Sequence, residues 1–404
     1  MSILPIIMIN YDGPLDRIYQ YLFIAAFFLL PLTVVGNNIA IWLAVLLWLF
    51  SGNYLKKFKQ IFANKLALAS IFFFCLHLLS IFWSDDISWG LEISRKMLPF
   101  LFVLPVFLTL TRRENVKFYV GAFLLAIAIT EVFSYLVWFE IIDPFKNATV
   151  RNPTPFMGHI SYNPFIAFAI YLVVNRLLVG DKLPLLERAT YTFFTLTMTV
   201  NMFITGGRAG QVMFLAAIII LAFQYFRNAQ VKATIISILL ILLIVVLAHN
   251  TSDLFEQRVN SGLSDIFSYE TNKSTSIGQR ITFFLNSLEL VKTSPLVGIG
   301  VGDFPSEYRK VNAIFSPEVP TTVQPHNMYM LVLAQLGILG LASFFYIFFV
   351  QYKIAIACKD KIISNIGIAL PLLFLVIMWS DSYLLGHFTG NLFILFSSFL
   401  YSNQ

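Results

Sequence analysis

Residues 231–280 read VKATIISILL ILLIVVLAHN TSDLFEQRVN SGLSDIFSYE TNKSTSIGQR. The chain is almost wholly apolar over 231–248, then turns polar near 250 and stays polar to about 325. About 20 consecutive apolar residues cross a bilayer as a helix, because a helix satisfies its own backbone hydrogen bonds where water is absent. The stretch 250–325 is the one long segment that cannot lie in hydrocarbon. It carries Arg258, Arg280, Lys292, Arg309 and Lys310, and it closes on Pro325-His326-Asn327-Met328-Tyr329, where the next apolar run starts.

Outward from this junction the rest of the chain reads as apolar runs separated by short charged loops. There are twelve runs, at approximately 18–35, 38–50, 65–83, 97–110, 116–139, 161–179, 189–205, 209–226, 231–248, 327–352, 362–383 and 386–402. Hydrophobic residues make up 58% of the 404 residues, against about 45–50% in soluble domains. Mean hydropathy is +0.79. A single soluble core does not need that much apolar surface. The expected fold is an all-α polytopic membrane protein with about twelve transmembrane helices. It forms one integral membrane domain over 1–404, with 250–325 as a large loop containing amphipathic helices between the ninth and tenth. Residues 1–17 lack a basic start and carry Asp12 and Asp16, unlike a cleaved signal peptide, so the first membrane helix is expected to direct insertion.

Charge gives the orientation. With the N-terminus inside, the inner side holds 16 Lys and Arg, the short outer loops 5 and the large loop 6. Long loops weigh little in this comparison. Both termini are therefore expected in the cytoplasm and 250–325 outside. The net charge of +6 reflects topology rather than nucleic-acid binding. Cys75 and Cys358 fall in or beside spans far apart in sequence, which supports neither a disulfide framework nor a cysteine metal site.

Three residues share a place at the outer start of a helix. Arg208 follows Gly206-Gly207 and opens the eighth run. Arg280 opens an amphipathic helix marked by Ile277, Ile281, Phe284, Leu285, Leu288 and Val291, with Gln279, Asn286, Glu289 and Lys292 on its polar side, Ser276 as cap and Pro295 as stop. His326 opens the tenth run. A helix N-terminus offers free N–H groups and partial positive charge, which suits phosphate, and arginine adds a bidentate clamp. Each residue also has a plainer reading: Arg208 as a headgroup anchor, Arg280 as a solvated charge, His326 as a cap. Arg258, Arg309 and Lys310 read as solvated or lipid-phosphate contacts. Arg151 and His159, before the sixth run, are candidates for lining a cavity. Gly298–Gly302 imitates a dinucleotide loop but lacks the preceding strand and the glycine spacing, and reads as a turn. Asp85-Asp86 reads as a solvated loop, with a divalent-metal site as the alternative. His77, His249 and His387 have no metal-ligand spacing. No metal or cofactor is expected.

With these residues quoted, the chain resembles the O-antigen ligase family, which shares a superfamily with O-antigen polymerases and bacterial protein O-glycosyltransferases. The resemblance rests on Thr205-Gly206-Gly207-Arg208-Ala209-Gly210, on Arg280 in the large loop, and on His326-Asn327-Met328-Tyr329. The Gly298–Phe304 turn and the Ser80–Trp89 segment add to it. Gly207 departs from the serine of many relatives, which removes one phosphate donor. The resemblance implies an inverting, metal-independent glycosyltransferase of lipopolysaccharide biosynthesis. It implies transfer of a preassembled glycan from undecaprenyl diphosphate to a sugar hydroxyl of lipid A–core, at the periplasmic face of a Gram-negative inner membrane. His326 is then the general base, and Arg208 and Arg280 bind the diphosphate. Gly207, Asn327, Tyr329, Arg151 and His159 are further substrate-binding positions. The implied partners are the lipid-linked donor, the acceptor and membrane lipids, without nucleic acid. A polymerase joining repeat units on the same carrier is the alternative. A glycolipid transporter is more distant, because Glu131 is the clearest charge inside a run and the other charges crowd the outer surface.

Overall fold

The computed structural model describes residues 9–180 and 183–402. In chain order the helices begin with α1 (Pro14–Leu29), α2 (Val34–Phe50), α3 (Tyr54–Ala63), α4 (Lys65–Ser80), α5 (Ile87–Leu101) and α6 (Val103–Leu110). Next come α7 (Val116–Trp138), α8 (His159–Val179), α9 (Leu185–Ile204), α10 (Arg208–Tyr225) and α11 (Gln230–Thr251). The last six are α12 (Asp253–Phe267), α13 (Ser276–Thr293), α14 (Phe304–Phe315), α15 (Met328–Ala357), α16 (Lys361–Ile377) and α17 (His387–Leu400). Among the described residues the only β pairing is an isolated bridge between Thr149 and Asn152.

Each apolar run overlaps a helix, although 18–35 crosses the turn between α1 and α2 and 362–383 runs past the end of α16. Seven helical stretches are long and apolar enough to cross a membrane: 65–83, 87–110, 113–138, 159–179, 208–225, 230–251 and 328–357. Three more, α2, α16 and α17, are apolar but shorter, with 17, 17 and 14 residues. The protein is therefore an all-helical membrane protein. Lys182, counted on the inner side above, lies outside the described residues.

Two helices differ from their runs for physical reasons. The fourth run was read from residue 97, yet its helix starts at Ile87, where Asp86 caps it by accepting the Trp89 N–H at 2.9 Å. The polar residues Glu92, Arg95 and Lys96 hid this first half from a hydropathy reading. The tenth run is broken at Gly337, which has φ 63°. A Cβ there would lie 2.3 Å from the Leu296 carbonyl carbon. The preceding loop takes up the backbone groups that the break frees: Ile299 N–H donates to Ala334 O and Ile338 N–H to Pro295 O, both at 2.9 Å. Gly298–Gly302 is thus a turn docked on α15, as its spacing suggested.

Polar contacts collect at two opposite ends of the bundle. At one end Arg112 pairs with Asp16 at 2.7 Å, Arg113 donates to Ser402 O at 3.0 Å, and Arg227 donates to Asn365 Oδ1 at 2.6 Å. At the other end Arg208 meets Ser261, His326 meets Asp381, and Asp303 accepts the N–H groups of Asp85 and Asp86. Helices α12 to α14 lie at this second end, between α11 and α15. We assign that end to the outer face. In a chain whose Cys75 and Cys358 are replaced by serine, a cysteine at exposed Ser274 should react with an impermeant thiol reagent in intact spheroplasts. One at exposed Asn228 should react only after permeabilisation. The reverse pattern inverts the assignment.

Helix α13 starts as expected but is capped one residue earlier, by Thr275, whose hydroxyl accepts the Gly278 N–H at 3.1 Å. Its polar side is not all in solvent. Asn286 is buried and donates to Tyr308 Oη at 3.1 Å, Asn312 Oδ1 at 3.2 Å and Ser316 Oγ at 2.6 Å, which fastens α13 to α14. A buried amide needs such partners, because leaving it unsatisfied costs about 1–3 kcal/mol.

Candidate functional site

The site is built on a close crossing of α8 and α10. A Cβ at Gly210 would lie 2.3 Å from the backbone carbon of Asn163, and one at Gly207 would lie 2.5 Å from His159 O. Only glycine lets the two helix starts approach this closely. Asn163 tightens the contact by accepting from Thr205 Oγ1 at 3.0 Å and donating to Met202 O at 3.1 Å. Asn152 ties in the preceding loop. Its Oδ1 accepts the Gly206 N–H at 2.9 Å, and its Nδ2 meets His159 Nδ1 at 3.0 Å. The crossing sets Arg208 at the first position of α10, and no side chain caps that helix. The first-turn amides therefore point their partial positive charge at the same space as the guanidinium.

Three arginines converge there. Arg208 Nη2 donates to Ser261 Oγ at 2.9 Å, while its Nε is buried without a partner. The Arg258 guanidinium, from α12, lies against Gly206, 3.3 Å from where a Cβ would stand. Arg280, near the start of α13, interacts electrostatically with Arg208 and His159 on one side and with Asp381 and Tyr383 on the other. None of the three forms an ion pair within 4.0 Å among the described residues. Asp265 offsets part of the charge at Arg208 and Asp381 part of that at Arg280, but three guanidinium groups without a direct ion pair still repel, and an anion placed among them would relieve that repulsion.

Beside the arginines stands a histidine–carboxylate pair. His326 Nδ1 lies 3.2 Å from Asp381 Oδ1, and the imidazole stacks on Phe283 of α13 with ring centroids 5.9 Å apart. Burial alone would raise the Asp381 carboxyl. The hydrogen bond and charge of His326, the Ser382 amide and the charge of Arg280 outweigh it and hold the pKa below the usual carboxylate value. An ionised Asp381 fixes the proton on Nδ1 and leaves Nε2 free to accept another. His326 has φ 49°, a left-handed conformation in which histidine is enriched but which still costs about 1 kcal/mol or more. The flanking chain holds it there. Asn327 Oδ1 caps α15 by accepting the Met330 N–H at 3.0 Å, Asn327 Nδ2 donates to Trp379 O at 3.3 Å, and Met328 N–H donates to Met378 O at 2.9 Å. The Tyr329 hydroxyl donates to Leu375 O.

The structure thus gathers Arg208, Arg280, Gly207, His159 and His326 at one end of the bundle. The polar groups of Asn327 and Tyr329 are engaged with α16 and the residues after it. Arg151 is exposed at the tip of the 149–152 bridge, and no hydrogen bond or ion pair among the described residues ties it to the cluster. Two site residues escaped the sequence reading. From sequence Arg258 reads as a solvated or lipid-phosphate contact, because one more arginine in a polar loop gives no sign of which way it turns. Asp381 was absorbed into the eleventh run, although Ser380-Asp381-Ser382 interrupts the apolar pattern there. An apolar groove of about 840 Å³ runs along α10, α15 and α16 beside this site, walled by Ile219, Phe284, Tyr329, Leu333, Leu375 and Trp379. No group of three or more His, Cys, Asp or Glu side chains is placed to hold a metal among the described residues.

The family model described as O-antigen ligase matches residues 193–345, from α9 into α15, and so takes in Arg208, Arg258, Arg280 and His326. That stretch of the chain is similar to the O-antigen ligase family. The match points to a membrane glycosyltransferase of the O-antigen ligase and polymerase type. The chain is also similar to an uncharacterised protein of Haemophilus influenzae, 26% identical over 349 residues, which cover 82% of this chain and 83% of that relative. Asp381 lies outside the family match, so the carboxylate half of the pair is visible through the tertiary contact alone.

Proposed function

We propose that this protein transfers a preassembled O-antigen glycan from undecaprenyl diphosphate to a sugar hydroxyl of lipid A–core. The reaction takes place at the periplasmic face of the inner membrane of a Gram-negative bacterium, with both termini of the chain in the cytoplasm. The observation that carries this reading is the set of three arginines, none in a direct ion pair among the described residues, beside an oriented histidine. Arg208, Arg258 and Arg280 bind the donor diphosphate, aided by the uncapped start of α10. His326 Nε2 takes the proton of the acceptor hydroxyl as its oxygen attacks the anomeric carbon. The bond from that carbon to the diphosphate oxygen breaks, and undecaprenyl diphosphate leaves with its charge held by the guanidinium groups. Attack opposite the leaving group inverts the anomeric centre. The apolar groove receives the prenyl chain and keeps the diphosphate at the membrane surface. Asn327 and Tyr329 serve as positioning residues that hold His326 through α16.

Deleting the gene and separating lipopolysaccharide by size tests this assignment. Loss of a ligase leaves bare core, with full-length polymer retained on the carrier lipid. Core capped with a single repeat identifies a polymerase instead. Purified enzyme should keep its activity in EDTA, and Asp85→Ala, which leaves the Asp86 cap of α5 intact, should transfer at a rate close to that of the parent. Death in chelator with recovery on Mg²⁺ or Mn²⁺ would assign charge stabilisation to a metal.

A further inference from the structure

Asp381 lines a cavity of about 260 Å³, walled also by Trp89, Lys96, Ser161, Gln324, Ser382 and Tyr383 among others. It is smaller than the ~300–1,000 Å³ pockets that take drug-sized ligands. It suits a single sugar ring.

Several features mark it as a built polar site. Ser382 is 4% exposed, and its Oγ has no partner; Trp89 Nε1 is likewise buried and unpaired. Buried polar atoms in native proteins are nearly always hydrogen-bonded, so two orphans in one small cavity point to a ligand that completes them. Lys96 Nζ stands 6.0 Å from the Trp89 ring centroid. The wall is held rigidly. Asp86 caps the turn bearing Trp89, Asp303 accepts the amides of Asp85 and Asp86 at 3.0 and 2.9 Å, and Gly302 N–H donates to Ser84 Oγ at 3.1 Å. Gln324 lies two residues before His326, and Asp381 itself lines the cavity.

A second cavity, of about 530 Å³, shares Lys96, Leu385 and Gly386 with the first and extends it to Arg95, His387 and Asn391. The His387 Nε2 is a third buried atom without a partner. Neither cavity shares a wall residue with the apolar groove.

We propose that this trough is the acceptor saccharide site. The terminal ring stacks on Trp89 and hydrogen-bonds Trp89 Nε1 and Ser382 Oγ. The following sugars run toward Lys96, Arg95 and His387; the two cations share a single carboxylate, Glu92, and their remaining positive charge suits anionic substituents. The donor diphosphate then lies among the arginines, and the acceptor reaches the His326–Asp381 pair from the Trp89 wall of this cavity. An acceptor hydroxyl that gives its proton to His326 then attacks the anomeric carbon from the side opposite the diphosphate, as inversion requires. The inference rests on the glycosyltransferase reading above.

The test uses full-length enzyme in nanodiscs, lipid-linked glycan donor, and two acceptors in parallel, lipid A–core and lipid-linked repeat unit. Trp89→Ala should raise the acceptor KM about tenfold, Trp89→Phe less, and Ser382→Ala about fivefold, the scale of one lost stacking or hydrogen-bond contact. The donor KM should stay within about twofold in each variant. An unchanged acceptor KM in the well-inserted Trp89→Phe and Ser382→Ala variants overturns the proposal, as does a rise confined to the donor KM. Should the parent enzyme transfer to neither acceptor, the glycosyltransferase assignment itself falls, and this inference with it.

Discussion

His326→Ala should cut glycan transfer by about 10²–10⁴-fold, the usual loss when a general base is removed. Expression and membrane insertion should stay unchanged. The residue sits before α15 rather than within it, and the helix cap belongs to Asn327, so the substitution spares the helix start. Alanine also fits less readily than histidine in the left-handed conformation at 326, so part of the effect can be structural. His326→Asn separates the two, because asparagine favours that conformation but offers no base. Both variants should be inactive in an in vitro assay of glycan capped onto acceptor. Retention of most activity by His326→Asn would remove proton abstraction from this residue. Asp381→Asn should lower kcat as well, since an amide cannot hold the imidazole tautomer as a carboxylate does.

Arg208→Lys and Arg280→Lys should each lose about 10²-fold or more in kcat/KM, comparable to removing one preorganised donor from a charge-stabilising site. Lysine keeps the charge but not the planar fork that spans two phosphate oxygens. The two positions differ in their surroundings. Arg208 is held by Ser261 and the α8–α10 crossing, so its lysine variant should chiefly affect donor binding. Arg280 bridges the arginine cluster and Asp381, so its loss should also disturb the His326–Asp381 pair. Steady-state kinetics at varied donor and acceptor would resolve this. Full activity in either lysine variant would make that arginine a headgroup anchor.

The sequence by itself determined the helical membrane fold, because runs of apolar residues near bilayer length have no other way to satisfy their backbone in lipid. It also singled out Arg208, Arg280 and His326, since each sits beside a punctuating glycine, cap or proline at a run boundary. It misjudged the start of α5 and missed the break in α15. Polar residues on one face mask a helix from hydropathy, and a glycine break repaired by a distant loop leaves no local mark. Only the tertiary structure decided which charged residues share a site. Arg258 reaches Gly206 because α12 folds back over the start of α10, and Asp381 reaches His326 across 55 positions of chain. Spacing along a chain reports which face of one helix a residue occupies. The direction of a side chain in a loop, and its partner from another helix, depend on packing that no periodicity encodes.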